Sequence, residues 1–348
     1  MSENVIEIKN VTKIFGDEPE AAMALLKQGK SKADVQAETS QVIGINDVSI
    51  NVGRGQIYVV MGLSGSGKST LIRHVNRLID PTSGEILVNG TNVLDMSLDQ
   101  LREFRRTQVA MVFQKFGLLP HRSVIDNVAY GLEVRGVGKE ERHKAAEKWI
   151  GTVGLEGYEE SQPHQLSGGQ QQRVGLARAL TMDTEILLMD EAFSALDPLI
   201  RSGMQDELIT LQKELNKTIL FISHDFDEAL KIGDRIAILK DGALIQEGRP
   251  EEIVLNPANA HIEEFVAEVN KARAIKVHSI MSRDANMEKC EIAVGEDVRC
   301  EDVLPLFAEH DWIGITDEAG NQTGYVTAKA VIKALARHQP QIETTDVS

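Results

Sequence analysis

IYVVMGLSGSGKSTLIRHVNRLI, residues 57 to 79, changes character twice along its length. It begins as a β-branched apolar run, passes through a glycine-rich loop, and continues with apolar residues at helical spacing. A strand, a loop and a helix in that order deliver the loop's backbone N–H groups to a helix N-terminus, where aligned peptide dipoles favour an anion. Within it, Gly62, Gly65, Gly67, Lys68 and Ser69 fit the pattern GxxxxGK[ST]. Glycines let the backbone surround a phosphate, the lysine meets β/γ oxygens and the hydroxyl ligates Mg²⁺. A nucleotide triphosphate is the expected ligand, and alternating strands and helices around such a loop predict an α/β fold.

A second buried strand, EILLMDEAF (185 to 193), places Asp190 at its end. A carboxylate there is costly unless it faces a cation or hydrogen-bond donors, and Mg²⁺ held through water is the natural cation. Glu191, one residue later, is positioned to polarise a water for attack on the γ-phosphate. Taken alone, an adjacent Asp and Glu also read as a solvated strand end. LSGGQQQR (166 to 173) is a second glycine loop, without a lysine, ahead of the helical pattern QQRVGLARAL. Ser167, Gly168 and Gly169 therefore make a second anion-binding helix N-terminus, half of a site.

The whole chain, at 348 residues, exceeds the usual size of one compact domain. Its net charge of -16 disfavours a nucleic-acid partner or unaided docking on anionic lipid. No apolar run approaches the roughly 18 to 20 residues that span a bilayer. The opening MSENVIEIKN is too polar and acidic for a secretory signal, so the expectation is a cytosolic protein. Cys290 and Cys300 lack CxxC spacing and read as reduced thiols rather than a metal or redox pair. Strand-like VIEIKNVTKIF (5 to 15) and VIGINDVSINV (from Val42) flank an insertion at about 17 to 41, rich in Ala, Lys and Glu, which predicts one or two short surface helices of unassigned role. TILFISHD and RIAILKDGALIQEG continue the alternation to Gly248, and helical NPANAHIEEFVAEVN follows. From Val277 the composition shifts to that of a small α+β unit, which puts a boundary at about 272 to 276.

LSGGQ, following GLSGSGKS and preceding ILLMDE, resembles the signature sequence of ABC (ATP-binding cassette) ATPases, a likeness that covers about residues 5 to 250. The resemblance implies a P-loop NTPase fold, with a RecA-like core plus antiparallel β and helical subdomains, that binds ATP and Mg²⁺ as a dimer. ATP would be held by Gly62, Ser64, Gly65, Ser66, Gly67, Lys68, Ser69 and Thr70, while Ser167, Gly168, Gly169 and Gln170 contact the nucleotide on the partner's P-loop. Gln114 in MVFQKFGLL matches the Q-loop, which senses Mg²⁺ and the attacking water and leads into the surface that receives a membrane subunit. Ser69, Gln114 and Asp190 are the implied metal-site residues. Asp197 in SALD matches the D-loop at the dimer interface. His224 in FISHD matches the switch histidine, although a lone histidine after a strand also reads as a polar cap. With Glu191 and Gln114 it forms the implied catalytic set. Phe15 resembles the aromatic on which adenine stacks; the competing reading is a buried edge-strand phenylalanine.

Longer strings, VMGLSGSGKSTLIRHVNRLIDPTSGEI and FQKFGLLPHRSVIDNVAYGLEVRG, look like the ATP-binding subunits of importers for glycine betaine, proline betaine and related quaternary amines. The C-terminal run resembles a single CBS domain. The expected organisation is an ATP-binding domain over 1–272 and a CBS-like regulatory domain over 277–340. Implied partners are a second copy, transmembrane permease subunits and, indirectly, a substrate-binding protein, with the chain on the cytoplasmic side of the cell membrane. Uptake of trimethylamine N-oxide, choline or carnitine is the alternative. A soluble ABC protein acting on ribosomes or DNA usually carries two cassettes or a long coiled coil, whereas this chain has one P-loop and one signature. An inactive regulator would lack Glu191 or His224.

Overall fold

The computed structural model describes residues 3–114, 116–194, 196–267, 269–283, 290–317 and 319–336. Two compact units divide the chain, Met1–Glu247 and Gly248–Ser348.

The first unit carries β1 (Asn4–Phe15), β2 (Val42–Gly53), β3 (Ile57–Met61), β4 (Ser83–Val88), β5 (Thr91–Asn92), β6 (Val109–Val112), β7 (Ile186–Asp190), β8 (Thr218–Ser223), β9 (Arg235–Lys240) and β10 (Ala243–Gly248). They form an antiparallel sheet in the order β2-β1-β4-β5 and a six-stranded sheet in the order β10-β9-β3-β8-β7-β6. Strands β3, β7 and β8 are buried along their whole length. Such continuous apolar runs belong to parallel strands covered on both faces, and β9, β3, β8, β7 and β6 do pair in parallel. β9 and β10 are joined by Asp241 and Gly242, both at positive φ, which suits the primed two-residue turn of a hairpin. Val and Ile side chains of β1 and β2 pack with Tyr58, Val60, Leu220 and Ile222 and with Leu71, Ile72 and Val75 of the helix Lys68–Val75 in one core.

Register decides where the loops fall. Asp190 pairs with Ile222, and Ile222 with Val60, so β3, β7 and β8 end in one row. Residues just beyond these three ends, Gly62, Glu191 and His224, must then lie at one edge of the sheet. The carboxyl ends of strands in an open α/β sheet are the usual place for a ligand crevice.

The insertion folds as two helices, Pro19–Lys27 and Lys32–Thr39, as the sequence suggested. Ala22 and Val35 bury against Ile14 and Ile43, with Met23, Leu25 and Leu26 packed on them. Ser31 caps the second helix, and Phe15 still pairs with Val42. The insertion thus extends the β1–β2 hairpin, whose strands stay paired up to Phe15 and Val42. Helices Val124–Val128, Lys139–Thr152 and Gly168–Thr181 pack together as a helical region.

The second unit contains helices Pro250–Leu255, Ala260–Ala267 and Lys271–Ala274, followed by β11 (Ala293–Gly295), β12 (Trp312–Thr316) and β13 (Gln322–Thr327) and the helix Ala328–Leu335. β11 pairs with β12 in parallel and β12 with β13 antiparallel. The composition shift put a boundary at 272–276; by contacts the division falls at 247/248. Ala272, Ala274 and Ile275 are buried, and the Cys300 N–H donates to the Ile275 carbonyl at 2.8 Å, which places helices 250–274 with the C-terminal unit. Of the expected 277–340 module, residues 284–289, 318 and 337–340 lie outside the described residues. Cys290 and Cys300 are free thiols. Among the described residues, no helix is long and apolar enough to cross a membrane.

Phe221, on central strand β8, is fully buried, and its ring lies 5.6 Å from that of Phe193. Phe221→Ala is expected to cost about 3–5 kcal/mol of stability through lost burial and a cavity, read as a lower midpoint of urea unfolding followed by circular dichroism.

Candidate functional site

The loop after β3 is shaped by glycines that other residues cannot replace. At Gly62, φ is +149°, and a Cβ there would stand 2.2 Å from the Leu239 carbonyl oxygen. At Gly67, φ is +101°, and a Cβ would meet the Gly44 carbonyl oxygen at 2.3 Å. Between them the Ser66 N–H donates to the Leu63 carbonyl at 3.2 Å, closing the turn, with Ser64 exposed at its tip and Gly65 at φ +78°. Gly67 caps the helix Lys68–Val75, on which Thr70 is half-buried.

Lys68 is only 4% exposed, and its Nζ donates to the carbonyls of Gly62 at 2.7 Å and Leu63 at 2.9 Å. Burial pushes its pKa down, while the nearby carboxylates of Glu191 and Asp190 oppose the shift. An ammonium folded onto its own loop's carbonyls has weak ligands that phosphate oxygens can replace.

Asp190 has no exposed surface, yet both carboxylate oxygens are satisfied: Ser69 Oγ donates to Oδ1 at 2.7 Å and Arg73 Nη2 to Oδ2 at 3.0 Å. These oxygens suit magnesium, which takes one or two protein ligands and completes its octahedron with water and substrate phosphate. Among the described residues, no cluster of three or more His, Cys, Asp or Glu able to hold a metal occurs.

Glu191 adopts φ +49°, a strained conformation for a residue with a side chain, and its N–H is fixed to the Ile222 carbonyl at 3.1 Å. Leaving β7 in the left-handed region turns its carboxylate out of the sheet. Gln114 Nε2 donates to Glu191 Oε2 at 2.7 Å, and His224 Nδ1 lies 3.3 Å from the same oxygen. The segments that follow β6, β7 and β8 therefore meet at one carboxylate, as the parallel order requires.

Ser167 and Gln170 form a capping box on the helix Gly168–Thr181: Ser167 Oγ accepts from the Gln170 N–H at 3.3 Å and Gln170 Oε1 from the Ser167 N–H at 2.9 Å. Exposed Gly168 opens the helix. Asp197 caps the helix Pro198–Leu215 by accepting from the Ile200 N–H at 3.1 Å; Ala195 of the SALD motif lies outside the described residues. Ser167, Gly169, Gln170 and Asp197 line one cleft of about 580 Å³, together with Tyr158 and Arg173. Among the described residues, no hydrogen bond or ion pair joins this group to the Lys68–Glu191 group. The site residues thus assemble as two separate constellations.

Phe15 ends β1 and is 38% exposed, with Lys13 Nζ 5.1 Å from its ring centroid. A Cβ on Gly44 would lie 2.7 Å from the ring, and the Gly44 carbonyl in turn abuts Gly67. An exposed aromatic face beside the phosphate loop results, despite the intervening insertion. Sequence reasoning missed Arg73 and Gly44. Arg73 could have been found, since it lies four residues after Ser69 and therefore on the same helical face; Gly44 left no local signal.

The family model described as "ABC transporter" matches residues 45–194. The chain is 54% identical over 278 residues to the glycine betaine transport ATP-binding protein OpuAA of Bacillus subtilis, covering 80% of this chain and 66% of that protein, just under two thirds of its length. It is 50% identical to the glycine betaine/proline betaine transport system ATP-binding protein ProV of Escherichia coli, over 81% of this chain and 70% of that one. It is also 46% identical to the trimethylamine N-oxide transport system ATP-binding protein TmoW of Ruegeria pomeroyi, over 92% and 96% respectively. Among solved structures, the dimeric bacterial ABC transporter cassette MJ0796 is similar at a TM-score of 0.61 and 33% identity, covering 70% of this chain and 97% of that chain.

Gly62→Ala forces both a positive-φ side chain and a clash with backbone. It should cost about 1–3 kcal/mol and abolish binding of a fluorescent ATP analogue, measured by unfolding and by titration.

Proposed function

On the premise that this chain belongs to the ABC transporter family, we propose that it is the ATP-hydrolysing, energy-coupling subunit of a binding-protein-dependent importer for glycine betaine, proline betaine or a related quaternary amine. The observation that carries the ATPase reading is the meeting of Gln114, Glu191 and His224 beside the Lys68 loop.

In the proposed mechanism the Gly65–Ser69 N–H groups and Lys68 surround the ATP phosphates, with Lys68 exchanging the Gly62 and Leu63 carbonyls for phosphate oxygens. Ser69 and Asp190 would hold Mg²⁺, whose charge neutralises the phosphates. Glu191 orients a water and accepts its proton as the water oxygen bonds to the γ-phosphorus and the bond to ADP breaks. Gln114 and His224 fix the Glu191 carboxylate and so the line of attack. Phe15 offers its exposed face to adenine. Ser167, Gly168, Gly169 and Gln170, with Asp197, serve the ATP of a second copy, which explains two separated constellations in one chain. Closure of the dimer would drive permease subunits between inward- and outward-facing states at the cytoplasmic face of the membrane. The net charge of -16 disfavours a nucleic-acid partner. The CBS-like region, 277–340, would regulate the cycle.

A second reading of the cargo, trimethylamine N-oxide, is favoured by coverage: the match to the Ruegeria pomeroyi protein takes in 92% of this chain, against 80% and 81% for the two betaine-transport relatives.

Glu191→Gln should retain ATP binding and lose about 10²- to 10³-fold in hydrolysis, measured as phosphate release against nucleotide titration; turnover near that of the wild type would remove Glu191 from the role of base. The cargo is decided by assembling the chain with its permease and binding protein in vesicles and asking which methylated amine stimulates ATP hydrolysis. Stimulation by a betaine is the expected outcome, stimulation by trimethylamine N-oxide alone establishes the second reading, and no response to any amine overturns both.

A further inference from the structure

The turn that carries His224 is braced from behind. Ser223 Oγ accepts from the Asp225 N–H at 3.0 Å and donates to Glu228 Oε2 at 2.5 Å, while Glu228 Oε1 accepts from Gln205 Nε2 at 3.0 Å. Ser223, Gln205 and Glu228 are all buried. Asp225 uses one carboxylate oxygen to cap the helix Phe226–Ile232 through the Glu228 N–H, at 3.1 Å, and the other to receive Arg201 Nη1, also at 3.1 Å. Arg201 then reaches in the opposite direction. Its Nη2 donates to the Leu196 carbonyl at 3.1 Å, and its backbone N–H to the Asp197 carbonyl at 2.9 Å.

One guanidinium therefore joins two places that the proposed function assigns to different nucleotides. Asp225 is the neighbour of His224, which reaches Glu191 in the chain's own site. Leu196 and Asp197 belong to the segment that borders the Ser167 cleft, which serves the nucleotide of a second copy. A planar fork with fixed donors transmits position better than a flexible ammonium, because moving one acceptor rotates the other bond with it. Arg201 and Gln205 stand one turn apart on the helix Pro198–Leu215, so a rigid helical face supports both braces.

We infer that Arg201 is a positioning residue that couples the His224 turn to the Leu196–Asp197 segment, so that occupancy of one nucleotide site sets the geometry of the other. This inference rests on the dimeric ATPase reading above. Such coupling is measured as an interaction between sites.

The test is steady-state ATP hydrolysis by the full-length chain across ATP concentrations, alongside equilibrium binding of a fluorescent ATP analogue. Arg201→Gln removes the fork. Asp225→Asn keeps a capping oxygen, since Asn caps as well as Asp, and weakens only the link to Arg201. Each should lower kcat roughly tenfold, leave nucleotide affinity within about twofold and bring the Hill coefficient towards unity, and the double variant should be no worse than either single variant. Arg201→Lys, which can hold only one acceptor at a time, should fall between. A helix-packing role alone would lower the unfolding midpoint without changing the Hill coefficient. Wild-type kcat and cooperativity in folded Asp225→Asn, or multiplied losses in the double variant, would overturn the coupling. Absence of ATP binding and hydrolysis in the wild-type chain would instead overturn the ATPase reading and this inference with it.

Discussion

A carboxylate with no exposed surface organises this molecule. Asp190 closes a strand on which every residue is buried, and its two oxygens are held by Ser69 and Arg73 from one face of the helix that follows the phosphate loop. Arg73 itself is 38% exposed, so removing it leaves one buried acceptor oxygen unsatisfied, a cost of about 1–3 kcal/mol. The helix Lys68–Val75 is thereby tied to the end of β7, and the phosphate loop to the carboxylates that follow it. Lys68 lies close enough to the same carboxylates for them to bias its proton affinity upward against burial. The electrostatics of the site and the attachment of its helix are one arrangement.

Strain is stored at the same edge. Glu191 in the left-handed region, Gly62 at φ +149° and Gly67 at φ +101° lie just beyond strands that end in one row, where other backbone crowds in. Gly62 and Gly67 resolve the conflict by lacking a Cβ where the carbonyls of Leu239 and Gly44 approach. Glu191 has no such escape and is held by its N–H bond to Ile222. A side chain that leaves a strand in this way projects into the crevice, where Gln114 and His224 can reach it.

The two separated constellations are the other consequence of the topology. The capped helix starts at Ser167 and Asp197 face a shared cleft, and each cap holds its own N–H groups through a side chain. On the function proposed above, these helix starts form a half-site completed by a second molecule.

The sequence by itself determined what is local. Composition and periodicity gave the buried strands, the glycine loop and its lysine, the helix start at Ser167 and the pair Asp190–Glu191, because these depend on residues within a turn or a strand of one another. The spacing of Ser69 and Arg73 was also legible in principle. Tertiary structure alone decided what depends on register and on close approach across the chain. It brought Phe15 beside the phosphate loop through Gly44 despite the insertion, joined Arg201 to both Leu196 and Asp225, gathered Gln114, Glu191 and His224 at one oxygen, and put helices 250–274 with the C-terminal unit although the composition changes only after them. The physical reason is common to all four: each contact is between backbone or side-chain atoms distant in sequence, and its existence follows from how strands align and helices pack, which no single stretch of residues encodes.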